Sequence, residues 1–305
     1  SSSSIKKIIE LSKAGANAFR LNCSHLNEEN LRDYVKKIRT AEERLNKPIG
    51  ILVDLQGPKI RIGAVENNKN LLEKGNVFVL DLKKEIGDNK RVNLPHKKIF
   101  SSIKKGHLIL LDDGKIHLEV TNVKLNQIRT KVLQGGYLKS NKGVNFPQTN
   151  LKTSALSIAD KKFASIAVQE GVDWIALSFV QKPNDIKELR KICQNKASIM
   201  AKIEKPSALG CIKEITSLAD GIMIARGDLG VELPIESVPG WQKKIIRVAR
   251  VKGKPVVVST QMLESMTSSL TPTRAEVSDV ANAVFEGADA IMLSAESATG
   301  NHPVK

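Results

Sequence analysis

Aromatic residues make up only 4% of the 305-residue sequence, cysteines number three, and no apolar run reaches the ~20 residues that a membrane-spanning helix needs. Each scarcity removes a class of function. Nucleic-acid bases are held by aromatic platforms set among basic residues, and an aromatic content this low argues against such a groove. Cys23, Cys193 and Cys211 are odd in number and share no metal-ligand spacing, so they read as reduced packing residues with neither a disulfide framework nor a zinc site. No positively charged segment followed by an apolar stretch opens the chain, and a cytoplasmic location is expected. Three phosphate-handling signatures are also missing. There is no GxxxxGK[ST] loop, no HRD or DFG triplet and no GxGxxG, so any phosphoryl chemistry must use another design.

Charge of one sign is what the sequence has in excess. Lysine and arginine number 48 against 32 acidic residues, a net charge of +16. The lysines are dispersed among asparagine and isoleucine, the pattern of a solvated surface rather than of a nucleic-acid stripe. Neither a nucleic-acid nor a membrane partner is expected, and the basicity has no functional account.

The chain is long enough for two cores. Ser1 to Ser4 in front of Ile5, Ile8, Ile9 and Leu11 predict a capped amphipathic helix. Ala18 to His25 predicts a strand with a polar tip, a helix follows from about Asn30 to Leu45, and Ile49 to Asp54 forms the next strand before a Gly57-Pro58 turn. From about Ala64 to Asn150 the texture changes to short alternating runs, with Asp113-Gly114 as a hairpin signal. After that the strand and helix rhythm resumes. Five apolar strands end at Phe179, Lys205, Asp228, Thr260 and Glu296, separated by helices near 185–193, 208–218, 239–252 and 273–285. The expected organisation is therefore a barrel segment at 1–63, an inserted β-rich domain at 64–150, and the rest of the barrel at 151–305. Seven strands that each run apolar and then end in a polar residue point to an α/β fold of the (β/α)8 TIM-barrel type, with one site at the C-terminal mouth.

Several strand ends carry chemistry. Lys202 and Glu204 lie two apart and so face one side, and Asp228 ends a neighbouring strand. Two carboxylates with open positions suit Mg²⁺ or Mn²⁺, and Lys202 would then serve as a point charge on a phosphoryl group. A barrel ion pair that only satisfies itself is the competing reading of the same residues. Arg20, Asn22 and Ser24 alternate, which places a guanidinium, an amide and a hydroxyl on one strand face. Asp54 and Arg61 flank the Gly57-Pro58 turn. Thr260 ends the apolar run Val256 to Val258, either as a catalytic hydroxyl or as a local carbonyl bond.

These segments together resemble the pyruvate kinases. The likeness is carried by Arg20-Leu21-Asn22-Cys23-Ser24-His25, Asp54-Leu55-Gln56-Gly57-Pro58-Lys59-Ile60-Arg61, Lys202-Ile203-Glu204 and Arg226-Gly227-Asp228-Leu229-Gly230. It continues through Thr260-Gln261-Met262-Leu263-Glu264-Ser265-Met266 and Pro272-Thr273-Arg274-Ala275-Glu276, so that it spans the whole sequence. The resemblance implies a barrel with a β-rich domain inserted after its third strand. It also implies phosphoryl transfer from phosphoenolpyruvate to ADP, giving pyruvate and ATP. Carried over residue by residue, it gives the divalent metal to Glu204 and Asp228, the phosphoryl group to Lys202 and Arg20, and the substrate carboxylate to Gly227, Asp228 and Thr260. Asn22, His25 and Arg61 would lie towards the nucleotide, and Ser294 and Glu296 would join the polar network below the site.

The monovalent-cation positions are Asn22, Ser24, Asp54, Leu55 and Lys59. Members that need K⁺ carry Thr and Glu where this sequence has Leu55 and Lys59, so activity without K⁺ is expected, with the lysine supplying the charge. Two departures bear on ADP: Leu26 replaces a usual glycine, and Ser165 a frequent lysine. By the same resemblance, the family's first strand would precede Ser1, and its last barrel helix and C-terminal domain would follow Lys305. A full-length form would be a homo-oligomer, a tetramer by resemblance. A metal-dependent barrel lyase acting on phosphoenolpyruvate or pyruvate, and an inactive truncated fragment, are the alternative readings.

Overall fold

A computed structural model of the chain describes residues 2–149 and 154–305. Ser1 of the expected cap and the expected boundary between Asn150 and Leu151 lie outside the described residues. The chain forms two compact units, one of Ser1–Gly57, Ala155–Leu229 and Glu236–Lys305, the other of Pro58–Ser154 and Gly230–Ile235. The first junction thus falls at Gly57 instead of 63, because Ile62 and Val65 belong to the β-rich core and Ile60 packs against it. The return of Gly230–Ile235 to that unit had no signal in the sequence.

In the first unit, seven parallel strands stand in chain order: Ala18–Asn22, Gly50–Asp54, Trp174–Leu177, Ser198–Ile203, Gly221–Ala225, Val256–Ser259 and Ala290–Met292. All seven occur where the apolar runs predict them, with helices between, which is the connectivity of a (β/α) barrel. Several helices start on side-chain caps. Ser4 accepts from the Lys7 amide, Asn27 from that of Asn30, and Thr273 with Glu276 forms a reciprocal capping box. Each such cap contributes ~1 kcal/mol by satisfying an amide that the helix leaves open.

Three local readings change. The first strand stops at Asn22, and Cys23–His25 is a 3₁₀ turn in which the Ser24 amide donates to Asn22 Oδ1 at 3.1 Å. Ser24 therefore does not continue the alternation of Arg20 and Asn22. The asparagine side chain offers the backbone a local partner that competes with the strand ladder. The predicted helix near 208–218 is two pieces, Pro206–Gly210 and Ile212–Leu218, meeting at Cys211. The strand expected to run to Asp228 ends at Ala225, and a short helix, Arg226–Glu232, takes over, so Gly227 and Asp228 lie in a first helical turn.

One face of the sheet carries an apolar layer of Leu52, Ala176, Met200 and Met223, packed with Trp174, Val257 and Met292. This layer sets the height at which polar side chains begin. In the β-rich unit, six strands pair around a core that includes Phe78, Leu80, Ile109, Leu118 and Ile128. Its hairpin Leu108–Leu111 to Ile116–Lys124 turns through Asp112, Asp113 and Gly114, all at positive φ. The predicted Asp-Gly turn is where the chain reverses. Among the described residues, no helix is long and apolar enough to cross a membrane.

Candidate active site

Asp54, Ser178 and Lys202 each stand two residues beyond a member of the apolar layer: Leu52, Ala176 and Met200. Side-chain alternation puts them on the same face, one layer nearer the strand ends. The contacts follow from that placement. Lys202 Nζ donates to Ser178 Oγ at 2.7 Å, and lies 2.8 Å from Glu204 Oε1 and 3.0 Å from Asp54 Oδ1. The Ser178 hydroxyl in turn donates to the Leu55 carbonyl at 2.6 Å. Arg20 closes the cluster from the first strand, with Nε and Nη2 each 2.7 Å from Asp54 Oδ2.

The cluster is buried, Asp54 and Glu204 being 1% exposed and Lys202 8%. Burial pushes the Asp54 carboxyl up, but Lys202 and Arg20 outweigh it and hold the group below the ordinary carboxylate range. For Lys202, burial pulls the pKa down and the charges of Asp54 and Glu204 outweigh it, leaving the ammonium well above its usual value. Lys202 is thus a fixed cation, unsuited to act as a base at neutral pH. Cys23, beside this cluster, is pushed up to about 12 by burial and by the charges of Asp54 and Asp160, so it is an unreactive thiol.

Glu204 spends its second oxygen on a backbone constraint. Oε2 accepts from the Phe179 amide at 2.8 Å, and Phe179 sits at φ +55°. The Phe179 ring in turn packs on Gly57, where a Cβ would fall 2.5 Å from Phe179 Cδ2, and Gly57 itself is at φ +70°. Only glycine satisfies both conditions.

Two strands further on, register pairs Ala225 with Ser259, so the next residues, Arg226 and Thr260, meet beyond the ladder. Thr260 and Gln261 have φ of +71° and +53°. For a β-branched residue this is a steric outlier, and the pair stores roughly 1–3 kcal/mol per residue that neighbours must offset. Thr260 Oγ1 accepts from the Gly227 amide at 2.6 Å and donates to the Ser259 carbonyl at 2.6 Å. Arg226 Nη2 donates to the Thr260 carbonyl at 2.9 Å and the Gln261 carbonyl at 3.2 Å. Beyond them, Leu263 N donates to Glu296, and Ser265 donates to Glu276 through both amide and hydroxyl. The Ser265 hydroxyl and amide hold the Glu276 carboxyl down at about 2. Glu296 also accepts from the Ser294 amide, so both residues join this network.

The sequence-derived candidates fall into groups. Arg20, Asp54, Lys202 and Glu204 form one cluster, and Gly227 and Thr260 a directly bonded pair. Asp228 is half-buried in the turn next to Gly227. The Gly227 amide assigned to a substrate carboxylate is taken up by Thr260 Oγ1. Asn22 caps the 3₁₀ turn, while Ser24 and His25 are exposed and Leu55 is buried. Lys59 and Arg61 belong to the β-rich unit, where both are exposed and Arg61 Nη1 donates to the Asn141 carbonyl at 2.9 Å. Ser165 is exposed and donates to the Lys161 carbonyl of its own helix. Ser178, Phe179, Arg226 and Asp279 had no role in the sequence reading. Counting two residues past the apolar layer would have found Ser178.

Among the described residues, no group of three or more His, Cys, Asp or Glu side chains could hold a metal. Of the two carboxylates that the sequence offers for a metal, Glu204 has both oxygens engaged, by Lys202 Nζ and the Phe179 amide, and a divalent cation that keeps waters and substrate oxygens needs few protein ligands.

A family model described as pyruvate kinase, barrel domain, matches residues 1–305. Pyruvate kinase of Methylorubrum extorquens is 54% identical over 98% of this chain and 62% of its own length. One from Agrobacterium vitis is 48% identical over 96% and 62%, and that of Thermotoga maritima 42% identical over 99% and 65%. The chain thus spans less than two thirds of the length of these relatives.

Proposed function

This chain belongs to the pyruvate kinase family, and from that premise we propose that it moves the phosphoryl group of phosphoenolpyruvate to ADP. The P–O bond to the enol oxygen breaks, and a new one forms to a terminal oxygen of ADP. The enolate left behind takes a proton on its methylene carbon and becomes pyruvate. The observation that carries the reading is the buried Lys202 ammonium, fixed by Asp54, Glu204 and Ser178 at the strand ends. A cation whose partners are already in place needs no reorganisation when charge develops beside it.

Lys202 stabilises the phosphoryl group in flight, and Arg20, anchored through Asp54, holds phosphate oxygens. Glu204 and Asp228 would hold the divalent cation, Mg²⁺ or Mn²⁺, which would supply neutralisation of phosphate charge. The substrate carboxylate is seated at Gly227, Asp228 and the Thr260 hydroxyl, with Thr260 near the enolate that is protonated. Because the Gly227 amide already has Thr260 Oγ1 as its acceptor, the carboxylate must share that donor or displace the hydroxyl. Asn22, His25 and Arg61 serve the nucleotide, as their counterparts do by resemblance.

The test is a coupled assay of pyruvate release from phosphoenolpyruvate with ADP and Mg²⁺. Release that requires both ADP and the metal is expected. Pyruvate formed without ADP would favour a lyase, and none from folded protein would end the proposal.

The same assay run with and without K⁺ addresses the monovalent ion. We expect equal rates, because the Lys59 ammonium replaces that charge. Lys59→Glu combined with Leu55→Thr is expected to make the rate depend on K⁺. A double variant as indifferent to K⁺ as the parent would refute this assignment.

A further inference from the structure

We propose that Arg226 is a positioning residue: it holds Thr260 and Gln261 in the left-handed region, and thereby sets the Thr260 hydroxyl against the Gly227 amide. The inference rests on the assignment of Thr260 and Gly227 to the substrate carboxylate, and adds to it the residue that shapes that subsite.

The guanidinium is placed for this task by the fold. It extends from the first residue after the Gly221–Ala225 strand, across the register line from Thr260. One nitrogen, Nη2, donates to both carbonyls of the strained pair and lies 2.8 Å from Met262 Sδ. The other, Nη1, is 2.6 Å from Asp279 Oδ1 on the helix Arg274–Glu286, with side-chain exposures of 14% for Arg226 and 36% for Asp279. Asp279 therefore orients the fork, and the fork aims two donors at a backbone that sterics would otherwise drive out of φ > 0.

The consequence is local. Gly227 is the residue next to Arg226, and a Cβ there would fall 3.3 Å from Thr260 Oγ1. The same short segment thus supplies the clamp on Thr260 and the amide that Thr260 meets. A lysine in place of Arg226 keeps the charge, but its single ammonium cannot reproduce the planar fork that joins two carbonyls to a carboxylate. The later part of the loop is held separately, by Glu296 and Glu276, so loss of the clamp frees Thr260 and Gln261 without releasing the rest.

The experiment combines steady-state kinetics with hydrogen exchange at the Gly227 amide. In Arg226→Lys, KM for phosphoenolpyruvate is expected to rise about tenfold to a hundredfold, the range for loss of a charge-assisted hydrogen bond, while KM for ADP stays within about twofold. Exchange at Gly227 is expected to accelerate in the same variant. A general loss of folded protein would lower kcat alone and leave both KM values in place. Asp279→Asn, a milder change, is expected to move the same two readouts in the same direction by less, and it carries the test if Arg226→Lys does not fold. Unchanged KM for phosphoenolpyruvate, or a raised KM with unchanged Gly227 exchange, overturns the positioning role while the parent still turns over. A parent that makes no pyruvate removes the substrate assignment itself, and this inference with it.

Discussion

Replacing Lys202 with methionine is expected to lower kcat for pyruvate formation by about 10³-fold or more, with KM for phosphoenolpyruvate changed far less. The scale is that of removing one preorganised charge from a phosphoryl-transfer site. Methionine keeps an unbranched apolar stem and removes the ammonium. What remains is Asp54, still paired with Arg20, and Glu204, still accepting from the Phe179 amide. Both carboxylates keep at least one partner, so the fold is expected to survive with reduced stability. Circular dichroism and a melting curve on the same preparation separate the two effects. A folded Lys202→Met protein with kcat within tenfold of the parent would show that the ammonium only satisfies its neighbours, the competing reading of the motif from the sequence alone.

That competing reading could not be decided from spacing, because an ion pair built for packing and one built for catalysis use the same residues two apart on a strand. The strands themselves were legible. A run such as Gly221-Ile222-Met223-Ile224-Ala225 is buried on both sides, and its apolar continuity leaves few alternatives to a parallel strand. Lys202 facing Glu204 was legible for the same reason, since alternation fixes it. What was not legible is what depends on the neighbouring strand. The partnership of Arg226 with Thr260 exists because Ala225 pairs with Ser259, and register between segments so far apart in sequence leaves no local trace. Ser24 was misplaced because the Asn22 side chain captures its amide and ends the strand early. The β-rich unit began earlier than expected since Ile60 and Ile62 carry no mark that tells which of two cores they join.

Asp54→Ala is expected to cost about 3–5 kcal/mol of stability at neutral pH, the range for breaking a buried ion pair by removing one partner. Asp54 bridges two cations, so its loss leaves Lys202 with Glu204 and the Ser178 hydroxyl and frees Arg20 from its anchor. The pH dependence identifies the cause. The folded pKa of Asp54 is depressed below its unfolded value near ~3.9, so its contribution is fully present above that value and is lost as pH falls through the folded pKa. The folded pKa of Lys202 is raised, so its share is present below ~10.4 and is lost only as pH rises through the still higher folded value. The stability gap between parent and Asp54→Ala is therefore expected to be flat from about pH 5 to 9, and to narrow below pH ~4 as the parent loses the ionised carboxylate. Urea unfolding at a series of pH values reads the gap directly. A gap under about 1 kcal/mol, the value typical of a surface pair, would mean that Asp54 is screened by solvent rather than buried between two cations. A gap of the expected size that did not close in acid would assign the loss to the cavity left by the side chain rather than to its charge.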